Sequence, residues 1–206
     1  MALTEVRFRP AFPHEFVPED YFRRLSLKEF QEIFGNENEI EVDLGSGDGS
    51  YVVALAEHYP DRNFLAVERL LGRVQKTSRK AEQKGLKNLK VLRLESSYVV
   101  EWLLPAASVS RLHLICPDPW PKVKHHRRRL VQEPFLQTLD KLLVPDGRFL
   151  FKTDHEEYFE WSEEVVEASP LFEAVARPEE FDPKSDFQRQ WEAEGKSLQT
   201  LFCRRV

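Results

Sequence analysis

Four carboxylates lie at the ends of successive short apolar runs of the sequence. If these runs are neighbouring strands, the four side chains could form one site. They are Asp43, Glu68, Glu95 and Asp118. Carboxylates accept hydrogen bonds from hydroxyls and amines, so four of them suit a nucleoside that carries two ribose hydroxyls, an exocyclic amine and an amino-acid ammonium. An acid near the end of the second strand can take both ribose hydroxyls. A polar residue after one strand is ordinary, but four in succession favour a binding site.

A glycine-rich turn, D-L-G-S-G-D-G, begins at the first of these acids and ends at Gly49. Gly45 and Gly47 let the backbone turn tightly and approach a ligand without a Cβ in the way. The spacing is G-x-G-x-G and not the G-x-G-x-x-G of dinucleotide-binding folds. A pyrophosphate would be repelled by the flanking carboxylate of Asp48, whereas a cationic ligand would not. S-adenosylmethionine carries a sulfonium and an ammonium and no phosphate, so the turn favours a methyltransferase over a dehydrogenase.

The elements that must position these residues alternate between strand and helix along the chain. Short apolar runs predict strands at 40–44, 63–67, 89–94, 111–116 and 147–153. The segments between and after them predict helices at 50–58, 71–84, 98–104, 127–143 and 157–168. This alternation is typical of an α/β fold with βαβ units, in which a mostly parallel, twisted sheet has helices on both faces. Ligands of such sheets lie beyond the carboxyl ends of the strands, which is where the four acids fall.

The two ends of the chain depart from that alternation. Residues 1–18 are rich in proline and aromatic residues and predict an extended arm, and 19–34 predict a helix. At the other end, 172–176 and 198–203 predict two strands on either side of a long polar loop. Two such strands would form an antiparallel hairpin at the C-terminal edge of the sheet.

Length and composition indicate one well-buried domain. The chain has 206 residues, of which 41% are hydrophobic, and a formal net charge of −5. That length is sufficient for one core and short for two. We expect a single methyltransferase domain over 1–206, with an N-terminal arm and helix at 1–37 and a catalytic core at 38–206.

Other features of the sequence predict the compartment and the absence of a metal. Cys116 and Cys203 fall in strand-like segments, which indicates free thiols in a reducing compartment. No apolar run approaches the roughly 20 residues of a membrane span, and the N-terminus lacks the apolar core of a signal peptide. These features predict a cytoplasmic protein with no membrane contact. The histidines are scattered without metal-ligand spacing, so no metal site is expected.

The most unusual stretch runs from Ile115 to Leu130 and reads I-C-P-D-P-W-P-K-V-K-H-H-R-R-R-L. Prolines on both sides of Asp118 fix the backbone and stiffen a turn. The cations that follow fall at the start of the predicted helix 127–143, where positive charge opposes the helix dipole. An external polyanion explains this placement better than helix stability does. A nucleic acid responds to such a local cluster despite the net negative charge of the chain.

Five parts of the sequence together resemble the family of tRNA (guanine-N7-)-methyltransferases. They are D-L-G-S-G from Asp43, Glu68, P-D-P-W-P-K from Pro117, H-H-R-R-R from His125 and F-K-T-D from Phe151. The P-D-P-W turn with its basic run is the most specific part, and the resemblance covers nearly the whole chain. It implies a Rossmann-like class I methyltransferase fold. It also implies transfer of a methyl group from S-adenosylmethionine to N7 of a guanine in the tRNA variable loop.

The resemblance and the charge pattern together predict the site residues. The cofactor would be held by Asp43, Gly45, Gly47, Glu68, Glu95 and Asp118. The tRNA would be contacted by Lys122, Lys124, Arg127, Arg128, Asp154, Ser185 and Gln188. The family's T-x-F-E substrate motif stands here as S-D-F-Q, from Ser185 to Gln188, so a hydroxyl is kept and a carboxylate becomes an amide.

The implied reaction needs positioning more than acid–base catalysis. N7 of guanine has a lone pair and no proton, so no base must activate it. Aligning N7, methyl and sulfur can supply roughly 7–11 kcal/mol. Methylation leaves positive charge on the purine, which a carboxylate stabilises. Asp118 is the predicted catalytic residue, with Asp154 across the cleft as its helper, and Trp120 either stacks on a base or braces the turn.

Two other functions stay open at this point. A methyltransferase of a small molecule would not need the cations at 122–129. A non-catalytic RNA-binding protein on the same scaffold would bind no cofactor, although intact acids at all four strand ends weigh against it. The oligomeric state is expected to be a monomer or a homodimer.

Overall fold

The computed structural model describes residues 9–206 and has an eight-stranded sheet at its centre. The strands are β1 (Glu15–Phe16), β2 (Ile40–Leu44), β3 (Asn63–Val67), β4 (Leu89–Leu92), β5 (Val109–Ile115), β6 (Leu143–Thr153), β7 (Phe172–Ala174) and β8 (Gln199–Arg205). Their order is β1-β4-β3-β2-β5-β6-β8-β7, and β8 is antiparallel to both neighbours while the other pairs are parallel. The predicted mostly parallel sheet with an antiparallel C-terminal edge is confirmed.

Helices cover both faces of this sheet, as predicted. They are α1 (Leu27–Glu32), α2 (Ser50–His58), α3 (Leu71–Gln83), α4 (Ser96–Tyr98) with a π-helical turn at Val99–Leu103, a 3-10 turn (Val123–Arg128), α5 (Glu133–Leu142), α6 (Glu156–Glu167) and α7 (Asp186–Ala193). Successive side chains of β3 point to opposite faces. Phe64 packs in the apolar cluster that contains α2 and α3, and Leu65 packs in the cluster that contains α5 and α6.

The order of the strands reverses at β2, which lies between β3 and β5. All five residues of β2 are buried, because neighbouring strands flank it and helices cover both faces. A reversal of this kind opens a crevice beyond the carboxyl ends of the central strands. The turn that follows β2 and the loop that follows β5 therefore meet at one end of the sheet.

The N-terminal segment differs from the prediction. Residues 1–8 of the predicted arm lie outside the described part of the chain, and β1 pairs in parallel with the edge of β4. The predicted helix at 19–34 is wrong in length, because α1 begins only after Ser26. The Ser26 hydroxyl accepts a hydrogen bond from the amide of Glu29 (3.2 Å), and the Glu29 carboxylate accepts one from the amide of Ser26 (2.8 Å). This capping box defines the first turn of the helix.

The predicted helix at 127–143 is wrong at its start. The cations lie on the 3-10 turn, and α5 begins at Glu133 with Pro134 in its first turn. Proline has no amide hydrogen for the carbonyl four residues earlier, so a helix from 127 would be broken there, whereas in a first turn that hydrogen is not needed. The dipole explanation for the cations therefore fails, because the first turn of α5 carries an acid.

The predicted polar loop at 177–197 contains the helix α7. The Ser185 hydroxyl caps it by accepting a hydrogen bond from the amide of Gln188 (3.1 Å).

Among residues 9–206, no helix has the length and apolar character of a membrane span. In the same range, no group of histidine, cysteine and acidic side chains is arranged to hold a metal ion.

Candidate active site

The glycine-rich turn joins β2 to α2 at the carboxyl edge of the sheet. Gly45 and Gly47 both have positive φ, 73° and 59°, which favours glycine over residues with a Cβ. A Cβ on Gly49 would collide with the side chain of Thr77 on α3. The turn therefore holds two helices close together and presents bare backbone to the crevice.

Asp43 and Glu68 form the buried part of the site. Glu68 accepts hydrogen bonds from the amides of Gly47 (3.1 Å) and Leu70 (2.8 Å), so its carboxylate spans the turn and the start of α3. Asp43 is 3% exposed, and its Oδ2 atom has no hydrogen-bond partner among the described residues. Burial, followed by the negative charge of Glu68, raises the pKa of Asp43 to about 7. A buried carboxylate with a free oxygen is costly unless a donor or cation binds it.

The other two predicted acids lie at the same edge but are exposed. Glu95 follows β4, and its carboxylate caps α4 by accepting hydrogen bonds from the amide of Tyr98 (2.9 Å) and the hydroxyl of Ser97 (3.2 Å). Asp118 lies in the turn after β5 and is exposed. The parallel strands thus bring all four acids to one edge of the sheet, as predicted. Two are buried at its centre and two lie at its margins.

Asp48 does not contribute free charge to this edge. Its carboxylate accepts a hydrogen bond from the amide of Ser50 (3.1 Å) and forms an ion pair with Lys80. The interpretation that Asp48 would repel a pyrophosphate is therefore wrong, because Lys80 neutralises its charge. The preference for a cationic ligand instead depends on Asp43, because Glu68 forms an ion pair with Arg73 (3.5 Å).

Four cations of the predicted tRNA site form a surface that we call the basic ridge. They are Lys122, Lys124, Arg127 and Arg128, all exposed, on and beside the 3-10 turn. The guanidinium of Arg128 lies over the ring of Trp120, 4.8 Å from its centroid. Trp120 is half-buried with a φ of 47°, so in this structure it braces the turn around Asp118.

Arg129 does not belong to the basic ridge, although it ends the same run of charge. It is 1% exposed, and its Nε atom donates to the carbonyl of Pro119 (3.0 Å). Its guanidinium lies over the rings of Tyr158 and Trp161, at 5.1 and 5.4 Å. Arg129 therefore holds the proline-rich turn against α6, and its inclusion among exposed cations was wrong.

Asp154 lies at the end of β6, beside the end of β5. Its side chain is half-buried. The pKa of the Cys116 thiol is raised to about 12, mainly by burial and next by the negative charge of Asp154. The cap of α6 is the ring of His155, which accepts a hydrogen bond from the amide of Tyr158 (3.3 Å). The Asp154 carboxylate is consequently not used as a helix cap.

The start of α7 lies over the glycine-rich turn. The ring of Phe187 lies 3.8 Å from where a Cβ of Gly47 would stand, and Ser185 lines the same small cavity as Asp43. The side-chain amide of Gln188 donates to Glu192 (3.0 Å), and its Oε1 atom is buried with no partner among the described residues. The S-D-F-Q motif is thus brought to the site from the far end of the sequence.

An ion pair between the buried Lys152 and the exposed Asp182 anchors the segment that leads into α7, and it was missed in the sequence. Lys152 on β6 is 2% exposed and donates to both carboxylate oxygens of Asp182, at 2.5 and 2.6 Å. Arg177 donates to the same carboxylate (2.7 Å). Burial lowers the pKa of Lys152, although Asp182 opposes that change. The available signal was a lysine inside the apolar strand R-F-L-F-K-T.

Solved methyltransferase structures share this fold. The aminoglycoside-resistance methyltransferase NpmB1 matches with a TM-score of 0.62 and 20% identity, over 89% of this chain and 95% of that one. The 16S rRNA methyltransferase KamB matches with a TM-score of 0.65 and 20% identity, over the same shares. The doubly wound sheet, the glycine-rich turn and the buried acids beside it define a class I methyltransferase.

Sequence comparisons identify the family within this class. A family model described as a putative methyltransferase matches residues 37–200. The tRNA (guanine-N(7)-)-methyltransferase of Syntrophotalea carbinolica is 35% identical over 90% of this chain and 84% of its own length. That of Leifsonia xyli is 36% identical, over 96% and 86% respectively. The chain belongs to the family of tRNA (guanine-N7-)-methyltransferases.

Proposed function

We propose that this protein transfers a methyl group from S-adenosylmethionine to N7 of a guanine in the variable loop of tRNA. Family membership over nearly the whole chain carries the proposal. The residues at the carboxyl edge of the sheet support it, because they combine buried acids for a cationic cofactor with exposed cations for a polyanionic substrate. Since tRNA is the proposed substrate, we place the enzyme in the cytoplasm.

The buried acids fit the cofactor. S-adenosylmethionine supplies an electrophilic methyl group on its sulfonium when bound. Asp43 has an unpartnered oxygen for the amino-acid ammonium, and Gly45 leaves the space beside it open, whereas Phe187 of α7 covers Gly47. Each carboxylate oxygen of Glu68 accepts one backbone hydrogen bond and has a further lone pair for a ribose hydroxyl. Glu95 is the acceptor proposed for the exocyclic amine of the adenine.

Asp118 and Asp154 are the residues proposed to act on the guanine. Asp118 accepts from the purine edge and stabilises the positive charge that methylation leaves on the ring. Its carboxylate is exposed, so its effect grows when the bound tRNA excludes water. Asp154 lies at the end of the adjacent strand and supports the same positive charge from the other side.

The remaining predicted residues are proposed to hold the tRNA. The four cations of the basic ridge neutralise phosphates on one side of the crevice. The Ser185 hydroxyl accepts the capping hydrogen bond and still has its own proton to donate. The buried oxygen of Gln188 is a free acceptor, so it serves a substrate donor where the family's motif has a carboxylate.

The proposal treats the chain as one domain, a monomer or a homodimer, with residues 38–206 as the catalytic core. The described part of the N-terminal segment, residues 9–37, then belongs to the same unit, and the pairing of β1 with β4 supports this.

Incubation with labelled S-adenosylmethionine and unmodified tRNA tests the function. We expect one methyl group per tRNA, mapped to N7 of a guanine in the variable loop. Matched reactions with guanosine and with the Asp118→Ala variant serve as controls. Methylation of free guanosine at the rate of tRNA would contradict the proposal, as would a label at another nucleotide.

A further inference from the structure

A second large group of cations lies outside the basic ridge. Residues 69–93 contain nine lysines and arginines and a single acid, Glu82, in a chain whose net charge is −5. Three of the nine are paired, Arg73 with Glu68, Lys80 with Asp48 and Lys84 with Glu57. The others, in the described part of the chain, form no ion pair. They are Arg69, Lys76, Arg79, Lys87, Lys90 and Arg93.

Part of this charge forms one surface at the mouth of the cofactor crevice. Arg9, Arg69 and Arg93 come from three segments and line a cavity of about 580 Å³ that also contains the carboxylates of Glu15 and Glu95. Lys76 and Arg79 continue from it along the exposed side of α3, opposite the buried residues Val74, Thr77, Ser78 and Ala81. Residues three or four apart share one side of a helix. We call these five cations the α3 basic face.

The position of the α3 basic face indicates what it binds. It follows β3 and β4, whereas the basic ridge follows β5, and the two lie on opposite sides of β2 and its buried Asp43. The strands β4 and β5 are three places apart in the sheet, so about 14 Å of sheet separates the two surfaces. A folded RNA that covers the crevice is wide enough to contact both, and a small substrate is not.

We propose that the α3 basic face is a second phosphate-binding surface for the tRNA, so that the substrate is held on both sides of the crevice. The inference rests on the proposed function, since it requires a tRNA substrate. Among the described residues these five cations form no ion pair, so neighbouring exposed cations repel one another, and phosphates would remove that repulsion. Each phosphate contact releases counterions and steepens the dependence of affinity on salt.

Two double variants test the surface, with a matched control. Lys76→Gln with Arg79→Gln removes two cations from the helix, and Arg69→Gln with Arg93→Gln removes two from the cavity. The control, Lys28→Gln with Lys141→Gln, removes two exposed cations from elsewhere. Binding of unmodified tRNA is measured by fluorescence anisotropy between about 50 and 200 mM salt.

We expect each face variant to weaken tRNA binding and to reduce the slope of log Kd against log salt by about 1.4–1.8, from 0.7–0.9 per contact. The control should keep the wild-type slope, and cofactor affinity of the Lys76–Arg79 variant should not change. Wild-type slopes in both face variants, or an equal fall in the control, would overturn the inference. A wild-type enzyme that does not methylate tRNA would instead overturn the proposed function.

Discussion

Among single residues, Asp43 has the most unusual environment. Its carboxyl group is buried beside Glu68, and both effects raise its pKa to about 7 from an ordinary value of about 3.9. The protonated form is therefore favoured in the folded protein between about pH 4 and 7, and the unfolded chain is ionised there. Folding stability consequently rises as pH falls through this window, whereas binding of a cation needs the ionised form.

Cofactor affinity should for this reason depend on pH. Below about pH 7, we expect Kd for S-adenosylmethionine to rise by up to about ten-fold per pH unit, because one proton must leave Asp43 on binding. The Asp43→Asn variant should bind weakly at every pH with a flat profile. Isothermal titration calorimetry between about pH 5.5 and 8 measures Kd for the wild type and the variant. These limits lie on both sides of the Asp43 pKa of about 7. A pH-independent Kd in the wild type would contradict the assignment.

Asp118 provides the corresponding test of the chemical step. Asp118→Asn keeps the size and the polar character of the side chain but removes its charge. We expect the single-turnover rate at saturating tRNA to fall by roughly 10²–10³-fold, the loss typical for one electrostatic stabiliser. Glu133→Gln, which removes an exposed acid at the start of α5, is the control and should react at the wild-type rate. Equal single-turnover rates in both variants would contradict a role of Asp118 in methyl transfer.

Among the elements, the 3-10 turn ends in two neighbouring arginines with different roles, one at the surface and one in the interior. Arg128 is exposed over Trp120, and Arg129 is buried against α6. We expect Arg129→Met to lower the free energy of unfolding by roughly 1–3 kcal/mol, because the carbonyl of Pro119 loses its donor. Arg128→Gln should leave stability unchanged and weaken tRNA binding. Urea denaturation of both variants makes the comparison, and equal stability losses would contradict it.

The segment before α7 depends on the ion pair between Lys152 and Asp182. We expect Asp182→Asn to destabilise the protein by roughly 1–3 kcal/mol, because the buried Lys152 charge then loses its main anionic partner, while water at the exposed position 182 limits the loss. The double variant with Lys152→Met should recover part of that loss, since no buried charge remains. A double-mutant cycle by urea denaturation measures the coupling. Additive effects of the two changes would contradict the proposed anchoring.

For the whole molecule, net charge is a poor guide to the partner. The chain carries −5 overall, yet exposed cations form two surfaces beside the edge of the sheet where the four acids lie. Over a Debye length of about 8–10 Å, a phosphate responds to those surfaces and not to the distant acids. Association with tRNA should therefore be favoured by local charge and should weaken as salt increases.

The basic ridge supplies the test at this scale. We expect Arg127→Gln with Arg128→Gln to reduce the salt slope of tRNA binding by about 1.4–1.8, and Lys122→Gln with Lys124→Gln to reduce it by a similar amount. Anisotropy titrations at four salt concentrations measure the slopes. Neither pair includes the buried Arg129, so the folded state should be preserved, and thermal unfolding checks this. An unchanged slope in both double variants would contradict tRNA binding on this side of the crevice.

The sequence by itself determined the local elements and the edge of the sheet at which the four acids lie. The bounds of β2, α2 and β3 agree with prediction, because their apolar residues, the glycine-rich turn and polar ends are all local signals. The four acids meet at one edge because parallel strands share a direction. Pro134 also carried the signal that α5 begins late, although the run of cations before it obscured that signal.

Only the tertiary structure decided which of these residues are buried and which distant segment covers them. Asp43 and Arg129 are enclosed by other elements, whereas their sequence neighbours Gly45 and Arg128 are exposed. The helix α7 reaches the glycine-rich turn from about 140 residues away along the chain. Burial and long-range contact depend on how helices and strands pack together, and a local pattern of residue types does not contain that information.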